Sequence, residues 1–268
     1  MPDTDGAILD WYGALQKRYG LAPFVRFDKP VHHVSQVHYK AGDADIFFIS
    51  NYHLEKDHTF TATFNVKGKT AWIWDPETGA KFRYPFQGEK NILSFNLDPA
   101  QSILLVFTQE KRGELYPVRG NLSGPSQPLG GPWSVTLEKV YEKPRTITFD
   151  ALRDFKDDPE LKSFAGVVHY EKRFHINPVK AFRYLDLGKV CGISEVMLNG
   201  HSLGIKWYGR HIYRLDKELQ AGDNTLTIKL TTVLGNYARS LKGNVVAQQW
   251  IIKQPLYSMG LLGPVRLI

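Results

Sequence analysis

The sequence has very little cysteine and no long apolar run. Cys191 is the single cysteine among 268 residues, so the chain can form neither an internal disulfide nor a cysteine-rich zinc site. No stretch approaches the roughly 18 consecutive apolar residues that a membrane-spanning helix needs. The first residues, Met1 to Asp5, lack the basic end and the apolar stretch of a secretory signal. We therefore expect no disulfide scaffold, no zinc finger and no membrane span.

The common catalytic signatures are also absent. The sequence contains no G-x-S-x-G elbow, no H-E-x-x-H pair and no glycine-rich dinucleotide fingerprint, which are typical of acyl transfer, zinc proteolysis and hydride transfer. Gly68-Lys69-Thr70 matches the end of a phosphate-binding loop, but Thr63 stands where that loop needs a glycine. Because strands are expected on both sides, we predict a hairpin turn at this position.

The charge balance is basic, but the basic residues are not clustered in the sequence. Lys and Arg number 34 and Asp and Glu 27, which gives a formal charge of +7. Only short basic pairs occur, such as Lys17-Arg18 and Lys172-Arg173. A nucleic-acid-binding surface would concentrate Lys and Arg among stacking aromatic residues. We therefore expect no nucleic-acid partner.

Aromatic residues make up 13% of the chain, which suits a protein built from β-strands. Tyr, Trp and Phe pack well on half-buried pleated surfaces. Exposed Trp and Tyr rings also stack on sugar rings. The composition therefore fits strand cores and carbohydrate-binding surfaces alike.

The spacing of apolar residues predicts a short helix and then a β-sandwich in the first half. Apolar side chains recur at helical spacing over 6–20 and stop at Gly20, so residues 1–22 form the expected N-terminal helix. Residues 23–112 read as an antiparallel β-sandwich. Its expected strands are 31–39, 45–50, 59–66, 70–74, 81–86, 92–97 and 102–107. Residues 113–132, rich in Pro and Gly, are the expected linker.

Residues 133–268 predict a second all-β module with the strand spacing of a jelly roll. Strands recur about every 10–15 residues, and Asn199-Gly200 marks a two-residue hairpin. The expected strands are 133–141, 145–149, 167–176, 182–187, 193–198, 211–215, 225–232, 245–252 and 265–268.

One loop of the second module combines stacking faces with hydrogen-bond donors. After the hairpin and a short strand, the chain presents Trp207, Tyr208, Arg210 and His211. Aromatic rings beside cationic groups are what a sugar-binding platform needs. The alternative is that Trp207 closes the end of a sandwich core. Because adjacent residues of an extended chain point to opposite faces, we expect either Trp207 or Tyr208 to be exposed.

Two further groups have the composition of metal sites. Alternation along the first expected strand places His32 and His38 on one face. They could be two ligands of a metal ion, but no third ligand is evident in the sequence. The simpler interpretation is that they are ordinary strand histidines. The second group consists of carboxylates in a polar segment: Asp154, Asp157, Asp158 and Glu160. Such oxygens could hold a structural calcium ion, or the segment is a solvated loop in which Asp154 or Asp157 caps a turn.

Several short segments together match a known sequence pattern. In the second module they are residues 164–174, 185–190, 195–200, 203–204 and 221–226. These segments resemble the galactose-binding-like jelly roll of glycoside hydrolase family 2. A closer resemblance is to the C-terminal region of glycoside hydrolase family 106, the α-L-rhamnosidases. It adds residues 231–237 and 259–265 of the second module and residues 45–51 and 74–79 of the first half. Asn236, within 231–237, is included among the candidate ligand-binding residues.

The resemblance implies the accessory end of a bacterial hydrolase. In such enzymes the catalytic carboxylates lie on an N-terminal barrel that this sequence does not contain, so we assign no catalytic residue and no cofactor. We expect a non-catalytic portion of a glycoside hydrolase that degrades polysaccharide. Its expected partners are a carbohydrate ligand and the catalytic barrel of a parent enzyme. The resemblance also implies a secreted or periplasmic location.

Two alternatives to the accessory role stay open. The chain could be a glycosidase in its own right that uses a cleft between the modules, with carboxylates such as Asp186 and Glu195 as acid and base. A raised pKa on one of a close pair would support this alternative. It could also be a purely structural or protein-binding module, for which an exposed apolar patch would be the sign.

Overall fold

The chain folds mainly into antiparallel β-strands. The computed structural model describes residues 5–85, 91–116, 122, 125–139, 142–177, 182–251 and 253–268. Contacts divide the chain into two units, Met1–Arg119 and Gly120–Ile268, and their border lies inside the expected linker. The predicted all-β fold with an N-terminal helix is confirmed. Within the described residues, no helix is long and apolar enough to cross a bilayer.

The N-terminal helix α1, Asp5–Tyr19, ends where the sequence changes to glycine. Gly20 has a left-handed φ of 63°, a conformation that glycine adopts without strain. The Leu21 amide donates to the Gln16 carbonyl at 2.9 Å and closes the last turn. Trp11 and Tyr12 remain 43% and 51% exposed. Local signals therefore define this helix more than burial does.

The described part of the first unit contains two antiparallel sheets. Its strands are β1 Val25–Phe27, β2 Val34–Ala41, β3 Ala44–Asn51, β4 His58–Phe64, β5 Thr70–Trp74, β6 Lys81–Arg83, β7 Ile92–Leu97 and β8 Ser102–Thr108. One sheet has the order β1-β4-β7 and the other the order β2-β3-β8-β5-β6. β5 and β7 begin and end where the sequence predicts. β1 was not predicted, because three residues are too few to show a period.

Phenylalanine rings fill the core of the first unit. Every second residue of β7 is buried, and Phe95 of this strand meets Phe60 with ring centroids 5.5 Å apart. Phe47 of β3 meets Phe64 of β4 at 4.9 Å. Each buried ring stabilises the fold by roughly 1.5–3 kcal/mol. Because Phe47 and Phe64 belong to different sheets, their contact joins both sheets in one core.

The chain crosses from one sheet to the other between β4 and β5. The predicted hairpin at Gly68-Lys69-Thr70 is therefore wrong: β4 pairs with β1 and β7, whereas β5 pairs with β6 and β8. Gly68 does take the left-handed φ of a turn, 70°. A turn signal marks a change of direction, and it does not specify which strands are joined.

Among the described residues, the second unit has three antiparallel sheets and two short α-helices. Its strands are β9 Gln127–Pro128, β10 Trp133–Lys139, β11 Arg145–Phe149, β12 Gly166–Ile176, β13 Tyr184–Asp186, β14 Lys189–Cys191, β15 Ile193–Leu198, β16 His201–Lys206, β17 Ile212–Arg214, β18 Gly222–Thr231, β19 Gly260–Gly263 and β20 Arg266–Leu267. The six-stranded sheet has the order β11-β10-β12-β18-β15-β16, the four-stranded sheet the order β17-β13-β20-β9, and β14 pairs with β19. The helices are α2 Gly235–Ser240 and α3 Val245–Ile251.

The two larger sheets of the second unit share one hydrophobic core. Val135, Tyr170 and Ile228 enter it from the six-stranded sheet, and Leu185 and Leu267 from the four-stranded sheet. None of these side chains is more than 1% exposed. The second unit is therefore built from two packed β-layers.

Helix α3 corrects the prediction of a strand at 245–252. Val245 and Val246 favour a strand through their β-branched side chains, but they are 81% and 68% exposed. The Asn244 side chain accepts a hydrogen bond from the Ala247 amide at 2.9 Å, as a helix N-cap does. That asparagine is a local helix-start signal, and the strand prediction does not account for it. Residue 252 and the predicted strand ends at 86 and 140–141 lie outside the described residues.

Gly188 provides a stability test of this fold. Its φ is 66°, and a Cβ built there would lie 2.4 Å from the Gly263 carbonyl carbon. Gly200 has a φ of 80° but open space around its Cβ position. We expect Gly200→Ala to cost about 1–2 kcal/mol through left-handed strain alone, and Gly188→Ala to cost more than about 3 kcal/mol because the backbone must also shift. Urea denaturation of both variants measures the difference, and equal losses would contradict the crowding at Gly188.

Candidate functional site

The predicted sugar platform follows the β15–β16 hairpin. Asn199 and Gly200 form its turn with φ values of 52° and 80°, as a type I′ turn requires. Asn199 Nδ2 donates to the Glu218 carbonyl at 2.8 Å and to Asn224 Oδ1 at 2.7 Å. Its Oδ1 accepts a hydrogen bond from the Thr225 amide at 2.8 Å. The turn is therefore fixed to the segment 218–225 of the same chain. β16 leads from the turn into the loop at 207–211.

Trp207 is the exposed member of the adjacent aromatic pair. Its side chain is 62% exposed, whereas Tyr208 is partly buried. The two rings lie 4.7 Å apart between centroids at an interplanar angle of 73°, the edge-to-face arrangement that aromatic pairs favour. Arg210 is exposed in the same loop. The prediction that one ring is exposed is confirmed, and the alternative that Trp207 closes a core is wrong.

His211 lies in the interior, so the prediction that it contacts a ligand is corrected. His211 is 4% exposed, and its Nδ1 lies 2.5 Å from Ser194 Oγ. Ser194 Oγ lies 2.7 Å from the Tyr213 hydroxyl, which donates to the Ser194 carbonyl at 2.9 Å. Sequence analysis did not link these residues, because pairing between distant strands brings them together. Ser194 is fully buried, so a substrate cannot reach this serine–histidine pair.

The His211 ring is neutral at ordinary pH. Burial, and secondarily the positive charge of Lys206, lower its pKa from 6.5 to about 4. Burial likewise raises the pKa of Tyr213 to about 12. With its proton on Nδ1, His211 donates to Ser194 Oγ, and that hydroxyl donates to the Tyr213 oxygen. His211 Nδ1, Ser194 Oγ and the Tyr213 hydroxyl are then all hydrogen-bonded without a charge.

Asn236 is also buried, and it joins two segments of the chain. Asn236 is 2% exposed. Nδ2 donates to the Tyr257 carbonyl at 2.8 Å, and Oδ1 accepts from the Tyr257 amide at 2.9 Å. These bonds tie α2 to the chain before β19. Direct ligand contact by Asn236 is therefore corrected to a structural connection.

The proposed acid and base, Asp186 and Glu195, each pair with a cation. Asp186 Oδ2 accepts from Arg266 at 2.8 Å, and its Oδ1 accepts from the Gly188 amide at 2.9 Å. Glu195 lies 3.0 Å from Lys229 Nζ. Asp186 belongs to the four-stranded sheet and Glu195 to the six-stranded sheet. Each carboxylate therefore forms an ion pair with a basic residue on the strand next to its own in the same sheet.

The carboxylates at 154–160 serve local structure. Asp154 is the N-cap of a 3-10 turn, Phe155–Asp157, and accepts hydrogen bonds from the Lys156 and Met259 amides. Asp158 pairs with Arg153 at 3.0 Å, and Glu160 with Arg145 at the same distance. The prediction that Asp154 or Asp157 caps a turn is confirmed for Asp154.

The histidines of the first unit do not form the predicted pair. β2 begins only at Val34, so His32 precedes the strand, while His38 Nε2 contacts Asp45 Oδ1 at 3.1 Å. A different group lies close together: His33, His53 and His58. Within the described residues, no three His, Cys, Asp or Glu side chains are arranged to hold a metal ion.

Comparison with known proteins relates the chain to glycoside hydrolases. No family model matches the sequence. A curated protein of Formosa agariphila named "Putative beta-glucuronidase" is 31% identical over 116 residues, which are 40% of this chain and 10% of that protein. The solved rhamnosidase from Novosphingobium sp. PP1Y aligns with 96% of this chain and 26% of its own, at 24% identity and a TM-score of 0.69.

The structural similarity shows that the fold is shared along almost the whole chain. This chain spans about a tenth of the curated relative and about a quarter of the solved rhamnosidase. The predicted resemblance to glycoside hydrolases is confirmed at this coarse level. The match to the rhamnosidase is a similarity of architecture, because the sequence identity is low.

Protonation of His211 should make the second unit sensitive to acid. Because the folded pKa lies below the ordinary 6.5, the unfolded chain binds the proton first as pH falls. The neutral His211 ring contributes fully to the free energy of unfolding above pH 6.5, and this contribution is lost as the pH falls towards 4. At ~1.4 kcal/mol per pKa unit, the loss amounts to about 3 kcal/mol. We expect His211→Gln to lose unfolding free energy less steeply than the wild type over this range.

The matched control for this measurement is His175→Gln in the same unit. The His175 side chain is 68% exposed, so this variant should keep the wild-type slope in urea denaturation at a series of pH values. A His211→Gln slope equal to that of the control would contradict the buried neutral histidine.

Proposed function

We propose that the chain is a non-catalytic accessory portion of an α-L-rhamnosidase-like glycoside hydrolase that acts on polysaccharide. In this proposal the second unit, a galactose-binding-like jelly roll, contacts carbohydrate through Trp207, Tyr208 and Arg210. The observation that carries it is Trp207, which is 62% exposed in a loop that also contains the exposed Arg210. Its indole ring offers a flat apolar face for the apolar face of a sugar.

The interior residues next to the loop position this platform. His211 follows Arg210 directly, and its bond to Ser194 holds the chain at that point inside the unit. Tyr208 supports the Trp207 ring edge to face. His211 is therefore a positioning residue in the proposal, and it acts through Arg210 and the loop. Asn236, through its two bonds to Tyr257, holds α2 to the chain before β19 and has no assigned contact with the platform.

The energy of such a platform is small. One stacked sugar with a few hydrogen bonds contributes about 1–2 kcal/mol after desolvation. A single monosaccharide would then bind with about millimolar affinity or more weakly. A polysaccharide gains strength only by making several such contacts at once. This is the behaviour expected of a module that holds a polymer for a catalytic partner.

The comparisons support a role as one part of a longer protein. The aligned part is about a quarter of a protein named a rhamnosidase, and the curated relative is about ten times longer than the matched segment. We propose that the barrel of a parent enzyme is the partner of this chain, and that the complete enzyme works outside the cytoplasm of a bacterium.

A second candidate function is a protein-binding module. The segment from Val233 to Tyr257 leaves several apolar side chains in solvent, among them Leu234, Val245 and Val246 at 65%, 81% and 68% exposure. Exposed apolar surface of this kind marks interaction sites. Under this candidate, the chain would show no affinity for polysaccharide.

Affinity electrophoresis in gels that contain rhamnose-rich plant polysaccharides tests the proposal. We expect retardation of the wild type and about a fivefold weaker effect for Trp207→Ala, since about 1 kcal/mol of stacking is lost. Trp11→Ala removes an indole that is 43% exposed in α1 and should leave the retardation unchanged. Equal retardation of both variants would place the site elsewhere, and no retardation at all would favour the protein-binding module.

The isolated chain should not hydrolyse aryl rhamnosides or galactosides. Asp186 and Glu195 are each neutralised by a basic partner, and neither is placed to act as a free acid or base. Release of the aryl group measures turnover directly. Turnover that Asp186→Asn or Glu195→Gln abolishes would replace the accessory role with the glycosidase alternative.

A further inference from the structure

A cavity of about 880 Å³ opens in the first unit, and basic side chains line it. Lys67 and Lys69 come from the connection between β4 and β5, Arg83 from the end of β6, and Lys111 from the segment after β8. None of the lining residues among those described is acidic. Three separate parts of the chain therefore bring positive charge to one cavity.

This concentration of charge does not follow from the composition of the unit. Residues 1–119 contain as many acidic as basic residues, so the whole excess of +7 belongs to the second unit. A neutral unit with its charges evenly mixed would place both signs around a cavity of this size. Among the lining residues that the structure describes, the fold has instead collected one sign.

Lys69 is already neutralised. Its Nζ lies 2.6 Å from Asp45 Oδ2 and also donates to the Asp43 carbonyl. Burial opposes ionisation of Asp45, but hydrogen bonds from Lys69 and His38 outweigh it and hold its pKa below the usual value. Asp45 therefore stays charged, and Lys69 fixes the connecting loop more than it contributes free charge.

Lys67, Arg83 and Lys111 supply the available positive charge. No acidic side chain among the described residues pairs with Lys67 or Lys111, and both are exposed. Arg83 Nη1 donates to the Lys111 carbonyl at 3.2 Å, while its buried Nε has no hydrogen-bond partner among the described residues. A buried donor without an acceptor is costly. Arg83 is thus held in place with one donor unsatisfied.

The cavity also has an apolar wall, formed by Tyr84, Pro85 and Leu115, while the lining residues Thr70 and Asn91 are polar. The Tyr84 hydroxyl donates to the Ser94 carbonyl, which fixes the ring. Binding sites for small molecules combine such apolar surface with a few polar groups. A sugar that carries an acidic group presents both chemistries, because its ring has an apolar face and its anion accepts charged hydrogen bonds.

We propose that this cavity binds the anionic group of an acidic saccharide, either the carboxylate of a uronic acid or a sulfate ester. Lys67, Arg83 and Lys111 hold the anion, and the apolar wall holds the ring. The preference for an anion stands on the cavity alone, whereas its attachment to a sugar rests on the proposed function. The site lies in the first unit and shares no residue with the platform at Trp207.

Titration calorimetry of the full chain at low, constant ionic strength tests the site. The probes are trigalacturonic acid, a sulfated galactose disaccharide, neutral maltotriose and inorganic sulfate. We expect Lys67→Met/Lys111→Met to weaken binding of an acidic saccharide about tenfold, or ~1.4 kcal/mol. Lys29→Met/Lys40→Met removes the same charge from exposed positions of the same unit and should change the affinity less than about twofold.

The outcomes separate this site from the proposed function. No binding of either acidic saccharide, or equal loss in both double variants, overturns the site, because the attraction is then absent or only general. Inorganic sulfate bound as tightly as the saccharides, or maltotriose bound equally well, overturns the acidic-sugar assignment. Trp207→Ala should leave binding of these short probes unchanged. If polysaccharide does not retard the wild type in the gel but acidic saccharides bind in the calorimeter, only the proposed platform at Trp207 is contradicted.

Discussion

The antiparallel pairing of β12 with β18 is the constraint on which the second unit depends. It joins Val167–Ile176 to Gly222–Thr231 through ten consecutive partners in the middle of the six-stranded sheet. Val168, Tyr170 and Ile228 are completely buried on its inner face. A slip of one residue would turn all of them to solvent, so this register is strongly determined. The proposed ligand-binding groups therefore lie at the edges and loops of the sheet.

The candidate platform follows from this register. β15 pairs with the other edge of β18, which places Ser194 opposite Leu230. Ser194 therefore points inwards, where it needs polar partners, and His211 and Tyr213 provide them. Satisfying one buried hydroxyl thus determines where the loop re-enters the core. Just before that point, Trp207 and Arg210 are consequently exposed at the surface.

Sequence analysis could predict the features that depend on neighbouring residues. β15, Ile193–Leu198, and β7 are found at their predicted limits because alternation and turn residues are local signals. The exposure of one ring in Trp207-Tyr208 follows from adjacency in the same way. The burial of His211 could not be predicted, because its partner Ser194 lies 17 residues away on another strand. α3 was missed because β-branched residues were weighed above the N-cap Asn244.

The clustering of basic residues at the cavity also depends on long-range pairing, so it could not be predicted from the sequence. The even spread of Lys and Arg along the sequence gives no hint that Lys67, Arg83 and Lys111 meet at one cavity. They meet because the chain changes sheets after β4, where a hairpin was predicted. Screening limits the reach of the net charge of +7 to about 8 Å at physiological salt, so it can attract an acidic polymer only weakly and without selectivity. Selectivity must come from a place where fixed cations and an apolar wall act together, and the cavity of the first unit has both.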